Sequence, residues 1–175
     1  MKKTSLVFSL LCTAAAVSLT LPASAEDAKP APAPSAPAAP AYDFGDQSSS
    51  VITGKAWDAL GANDLAAVRA YAGRCIELYE SAALAQQAAL KAPVPTADKE
   101  AVFANWALND VGTCYFILGQ ALEKAGQTAD ALKAYKTLVD KLAFAQCWDK
   151  KGWFWSPADA AKGRIKAVEF DAAMK

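Results

Sequence analysis

Apolar residues recur at helical spacing along most of the chain from Asp43 onward, and no stretch alternates cleanly with period two. Leu132, Tyr135, Leu138 and Val139 fall three and four apart, which puts them on one face of a helix expected from about Ala129 to Ala143. Upstream, Tyr115, Leu118, Gly119 and Leu122 mark a second helical face, and Gly126 between the two supplies the positive φ that ends a helix. Gly119, inside a helix, costs about 1 kcal/mol against alanine and points to a close approach by a neighbour.

An earlier helix pair reads in the same way. Ala56 is a small position, Asn63 a turn residue able to adopt the left-handed conformation, and Val68, Ala72 and Cys75 an inner face. Its second helix continues to about Leu90, roughly 26 residues, before Pro93 and Pro95 stop it. A further helix is expected from about Ala97 with Thr96 as its N-cap. It either runs on through Trp106 or breaks near Asn109 to Gly112. Ser156-Pro157-Ala158-Asp159 then starts a last helix with a capping serine, proline at the first position and an early acid. Ala161, Ile165 and Val168 are its apolar face.

The segment YFILGQALEKAGQTADALKAYKTLV resembles the tetratricopeptide repeat, through Tyr115, Leu118-Gly119, Leu122, Gly126, Ala131, Tyr135 and Leu138. Tyr115 stands where that family prefers Trp, and the usual closing proline is absent near Ala143. AWDALGANDLAAVRAYAGRCIELY is a weaker copy. Asn63 and Gly126 lie 63 residues apart, nearly twice the usual period, so the copies are not in regular tandem. The resemblance implies an all-α fold: tetratricopeptide-like helical hairpins in a short α-α superhelix, with a C-terminal capping helix. The wider pattern, including FAQCWDKKGWFW, is similar to small secreted bacterial tetratricopeptide-like proteins, some labelled beta-glucanase precursor. Glycoside hydrolysis needs two carboxyl groups at a defined separation, and the sequence singles out no such pair.

The beginning of the chain changes where such a domain would work. Lys2 and Lys3, the uncharged apolar run Leu6 to Leu21 and Ala23-Ser24-Ala25 read as a signal peptide, residues 1–25, cleaved after Ala25. Cys12 lies too early in the run for lipidation. Residues 26–42 form an Ala/Pro-rich linker that can make neither helix nor sheet, and the domain is residues 43–175. The expected location is the periplasm or the exterior, with no membrane span in the mature chain.

Charge and composition narrow the chemistry. The chain carries 18 Lys+Arg and 18 Asp+Glu, and loss of Lys2 and Lys3 leaves it slightly acidic, which argues against nucleic acid as a partner. It contains no histidine, which removes histidine-dependent catalysis and the commonest zinc and copper sites. No metal or cofactor site is expected, and the reading points away from an enzyme.

Two binding surfaces are candidates. The tetratricopeptide resemblance implies a concave groove presenting Thr53 and Trp57 from the first unit and Phe116, Gln120, Glu123 and Lys124 from the second. The other is an aromatic loop, residues 144–155, in which Trp148, Trp153 and Trp155 with Asp149 could stack on sugar rings or a peptide. Its alternative is architectural, with large rings filling the end of the core. Cys75, Cys114 and Cys147 remain after cleavage. With Cys114 placed at the start of one helix and Cys147 after its antiparallel partner, a Cys114–Cys147 disulfide is expected, adding roughly 3–4 kcal/mol. Cys75–Cys114 is the other pairing. The expected role is protein or peptide binding, or scaffolding, in the cell envelope; the alternative is a cell-wall carbohydrate binder or glucanase-type hydrolase using the aromatic loop.

Overall fold

The computed structural model describes residues 42–174. The expected signal peptide, its cleavage after Ala25 and the Ala/Pro-rich linker up to residue 41 lie outside the described residues. Six helices and one short strand pair make up the described chain: α1 (Ser49–Gly61), α2 (Leu65–Ala89), α3 (Lys99–Ala104), α4 (Trp106–Lys124), α5 (Thr128–Lys141), β1 (Cys147–Asp149), β2 (Trp153–Trp155) and α6 (Pro157–Ala173). The fold is mostly helical. No helix among the described residues is long and apolar enough to cross a membrane.

α1 and α2 form one helix pair and α4 and α5 another, with α2 packed along α4 between them. Each pair turns on a left-handed residue, Asn63 at φ 57° and Gly126 at φ 72°. Asp64 then caps α2, its carboxylate accepting from the Ala67 amide at 2.9 Å. Lys124 Nζ donates to Asn63 Oδ1 at 3.2 Å, which ties the two turns together. α6 packs on α5 and, less extensively, on α4. It begins as its sequence dictates, with Ser156 Oγ accepting from the Asp159 amide at 3.1 Å and proline in the first turn.

The core runs through both pairs. Ile52, Val68, Leu108, Ile117, Tyr135, Leu138 and Leu142 are fully buried. Small residues let the helices close on one another. A Cβ at Gly119 would come within 2.6 Å of Tyr135 Cδ1, so this glycine makes room for the aromatic ring of α5. Tyr42, the last residue of the expected linker, already belongs to the packed chain, its ring 5.6 Å from that of Tyr71.

Three expectations are corrected. α3 is capped by Asp98, which accepts from the Ala101 amide at 3.0 Å, and not by Thr96. The break before α4 falls at Asn105 instead of Asn109 to Gly112. There the Asn105 side-chain amide donates to the Ala101 carbonyl at 2.9 Å, satisfying a group that the break would orphan. Gly112 lies within α4, where Ala145 packs too closely to admit a Cβ. The aromatic stretch is also not simply a loop. β1 and β2 pair antiparallel, with Cys147 opposite Trp155, Trp148 opposite Phe154 and Asp149 opposite Trp153. The turn closes through the Gly152 amide on the Asp149 carbonyl at 2.9 Å, with Gly152 at φ 105°.

Candidate functional site

The α1 part of the expected groove meets the aromatic hairpin in one place. Thr53 and Trp57 stand one turn apart on α1, and the β1–β2 hairpin folds back against that helix. Trp57 meets Trp155 edge to face, and Phe116 of α4 supports the same indole with ring centroids 5.3 Å apart. Trp155 is therefore architectural. Its neighbours on the hairpin are not: Trp148 is 37% exposed and Trp153 50%. The question of core against surface divides within the cluster by contact: Trp153 and Trp155 share a face of the hairpin, but Trp155 is the one that meets Trp57 and Phe116, while Trp148 pairs across the strands with Phe154 at 4.8 Å between ring centroids.

On one side of Trp148 lies a cavity of about 310 Å³ between the start of α1, the first half of α4 and the hairpin. Its aromatic walls are Phe103, Trp106 and Trp148, and Thr53, Asn109, Asp110 and Thr113 are polar residues lining it. On the other side a wider cavity of about 550 Å³ carries Trp57, Asp58, Asp149, Lys150 and Trp155. Trp148 and Cys147 belong to both.

The polar lining is built from α4. Asn109 is buried and bonded at both polar atoms: its Nδ2 donates to the Val102 carbonyl at 2.8 Å, and its Oδ1 accepts from the Gln146 amide at 2.8 Å. It thus fixes α3 and the approach to the hairpin about α4. Thr113 Oγ1 donates to the Asn109 carbonyl at 2.7 Å. Asp110 accepts from the Ser49 hydroxyl through Oδ2, and it has no ion-pair partner among the described residues. Burial raises the Asp110 carboxyl above its usual value, and the Ser49 hydroxyl offsets this only in part.

The remaining groove candidates serve the framework. Glu123 binds Arg164 of α6, with Nε to Oε2 at 3.0 Å, and accepts from the Tyr135 hydroxyl at 3.0 Å. Lys124 is held by Asn63, and Gln120 is half-buried on α4. Asp149 accepts from the Lys151 amide at 2.8 Å and shapes the hairpin turn. The residues that sequence reasoning passed over are Phe103, Trp106, Asn109 and Asp110. Their signal was the polar interruption at Asn109, Asp110 and Thr113 inside an otherwise apolar helix.

Cys75, Cys114 and Cys147 are free thiols, and the expected Cys114–Cys147 bond is not formed. Cys114 lies in mid-helix instead of at a helix start. Its sulfur turns toward Thr53 Oγ1 at 3.3 Å, and the Cys75 sulfur lies 3.7 Å from the same hydroxyl. Burial pushes the Cys114 thiol well above its usual value. Burial also raises Cys147, partly offset by hydrogen bonding with Thr113. No group of three or more Cys, Asp or Glu side chains among the described residues could hold a metal ion.

No protein-family model, curated protein sequence or solved structure matches the chain.

Proposed function

We propose that this protein is an exported, tetratricopeptide-like binding module that seats an extended peptide segment of a partner protein in the cleft between α1, α4 and the β1–β2 hairpin. The left-handed turns at Asn63 and Gly126, the Gly119–Tyr135 contact and buried Ala131 support the repeat-like reading. The signal-like start of the chain supports action in the periplasm or cell envelope. The observation that carries the function is Trp148. Its large, partly exposed ring divides two adjoining cavities, and an extended chain presents alternate side chains to such neighbouring pockets.

A second reading, a carbohydrate-associated protein, rests on the exposed flat faces of Trp148 and Trp153 beside Asp149 and Lys150. The two are separated by panning random displayed peptides on the full-length protein in parallel with pull-down on β-glucan and peptidoglycan. The peptide reading expects enriched peptides that Trp148→Ala no longer retains. Retention on either polysaccharide, lost in Trp148→Ala and Trp153→Ala with no peptide enriched, would replace it with the carbohydrate reading. Release of reducing sugar, abolished by substituting one acid, would make the protein a hydrolase.

A further inference from the structure

We infer that the cavity lined by Phe103, Trp106, Trp148 and Asp110 is a pocket for a cationic side chain, and specifically for the ammonium of a lysine on the bound peptide. The inference rests on the peptide-binding reading and adds to it the chemistry of one position.

Three observations converge. First, Asp110 is a carboxylate drawn partly out of water, with a hydroxyl as its hydrogen-bond partner and no cation paired to it among the described residues. A half-buried acid without a counter-ion has lost part of its hydration, and a cation brought to it restores that loss. Second, the walls of the same cavity are aromatic, and aromatic faces attract cations through their quadrupoles. The chain already uses this chemistry beside the cavity: Lys99 Nζ lies 4.8 Å from the ring centroid of Trp148. Lys99 is not among the residues lining the cavity and makes no ion pair with Asp110. Third, the Ser49 hydroxyl engages Oδ2 of Asp110, and no donor among the described residues bonds Oδ1. A guanidinium binds best across both carboxylate oxygens, whereas an ammonium is a point charge satisfied by one oxygen and surrounding rings.

An ammonium in the cavity sheds water onto Asp110 Oδ1 and the ring faces, while its aliphatic stem packs on Trp148 and Phe103. A neutral side chain of the same length gains the packing and leaves Asp110 uncompensated.

The test uses three peptide pools with identical randomised flanks and a central lysine, arginine or norleucine, titrated against full-length protein by fluorescence anisotropy. The lysine pool is expected to bind about tenfold more tightly than the norleucine pool, with arginine between them. Asp110→Asn is expected to erase the lysine advantage while leaving norleucine affinity in place. Trp106→Ala, measured beside it, is expected to weaken the lysine pool more than the norleucine pool. Thermal unfolding of each variant establishes that it is folded. Equal binding of lysine and norleucine pools, or a lysine preference that survives Asp110→Asn, overturns this inference and leaves the peptide cleft standing. An arginine pool that binds best overturns the assignment to an ammonium. Failure of all three pools to bind overturns both readings.

Discussion

Trp57 of α1 meets Trp155 of β2 with ring centroids 6.5 Å apart and ring planes at 61°, so an aromatic pair keys the hairpin to the first helix. Phe116 of α4 closes on the same indole. Trp155→Ala removes both contacts and is expected to lower stability by about 2–4 kcal/mol. Trp153→Ala, two residues earlier on the same strand but half exposed, is expected to change it by less than about 0.5 kcal/mol. Urea unfolding of the two variants measures both. Equal losses would show that the hairpin is not held through Trp155.

Gly119 and Gly163 should respond to alanine with opposite signs. At Gly119 the new methyl group meets the Tyr135 ring, and overpacking is expected to destabilise by about 1–3 kcal/mol. The gain in helix propensity, about 1 kcal/mol, does not offset it. At Gly163 no neighbouring side chain or element among the described residues lies within 4 Å of the added methyl group, so Gly163→Ala is expected to stabilise by about 0.5–1 kcal/mol. Melting temperatures decide the pair, and a stabilised Gly119→Ala would refute the close approach.

Asp110 predicts a pH dependence with a definite sign. Its folded-state pKa is raised by burial, so folding favours the protonated form more than the unfolded chain does. The associated stability is present below the unfolded value of about 3.9 and is lost as pH rises through the folded value. Asp110→Asn, which keeps an acceptor for Ser49 and carries no charge, is expected to melt higher than the parent at pH 7. The difference should shrink as pH falls toward 4. A parent that melts higher than the variant at pH 7 would contradict the assignment.

The thiols should differ in reactivity. Cys75 and Cys114 are fully buried around Thr53, whereas Cys147 is half-buried at the start of β1. Alkylation of the native protein is expected to label Cys147 first and to reach the other two only on unfolding. When the protein is exposed to oxidised glutathione during refolding, peptide mapping is expected to find Cys75 joined to Cys114, because those two sulfurs share one hydroxyl neighbour. Recovery of Cys114–Cys147 would restore the pairing expected from sequence.

The parts of the fold written locally were legible in advance. Asn63, Gly126 and the Ser156-Pro157 start each act through their own backbone or the next turn, and each stands where the pattern placed it. The hairpin was not legible, since strands of three residues hold too little alternation to register a period of two. The break at Asn105 was missed because it depends on a side chain satisfying a carbonyl four residues back. The cysteines follow from the same break: one near Asn109 to Gly112 would make Cys114 a helix start facing Cys147, whereas the break at Asn105 leaves it in mid-helix beside Thr53. The cleft itself is long-range. Trp148 was singled out as a ring, but its role depends on α1 and α4 standing beside it. Asp110 depends on Ser49, which lies on a different helix.

The most direct test is the affinity of a displayed-and-selected peptide for the parent protein and for Trp148→Ala, measured by fluorescence anisotropy alongside melting temperature. At least about a tenfold loss of affinity is expected, in a variant that melts somewhat lower but is still folded at the temperature of the measurement, since the ring lines both cavities and also packs on Phe154 and Phe103. Undiminished affinity in Trp148→Ala would contradict the peptide cleft and place binding elsewhere on the molecule.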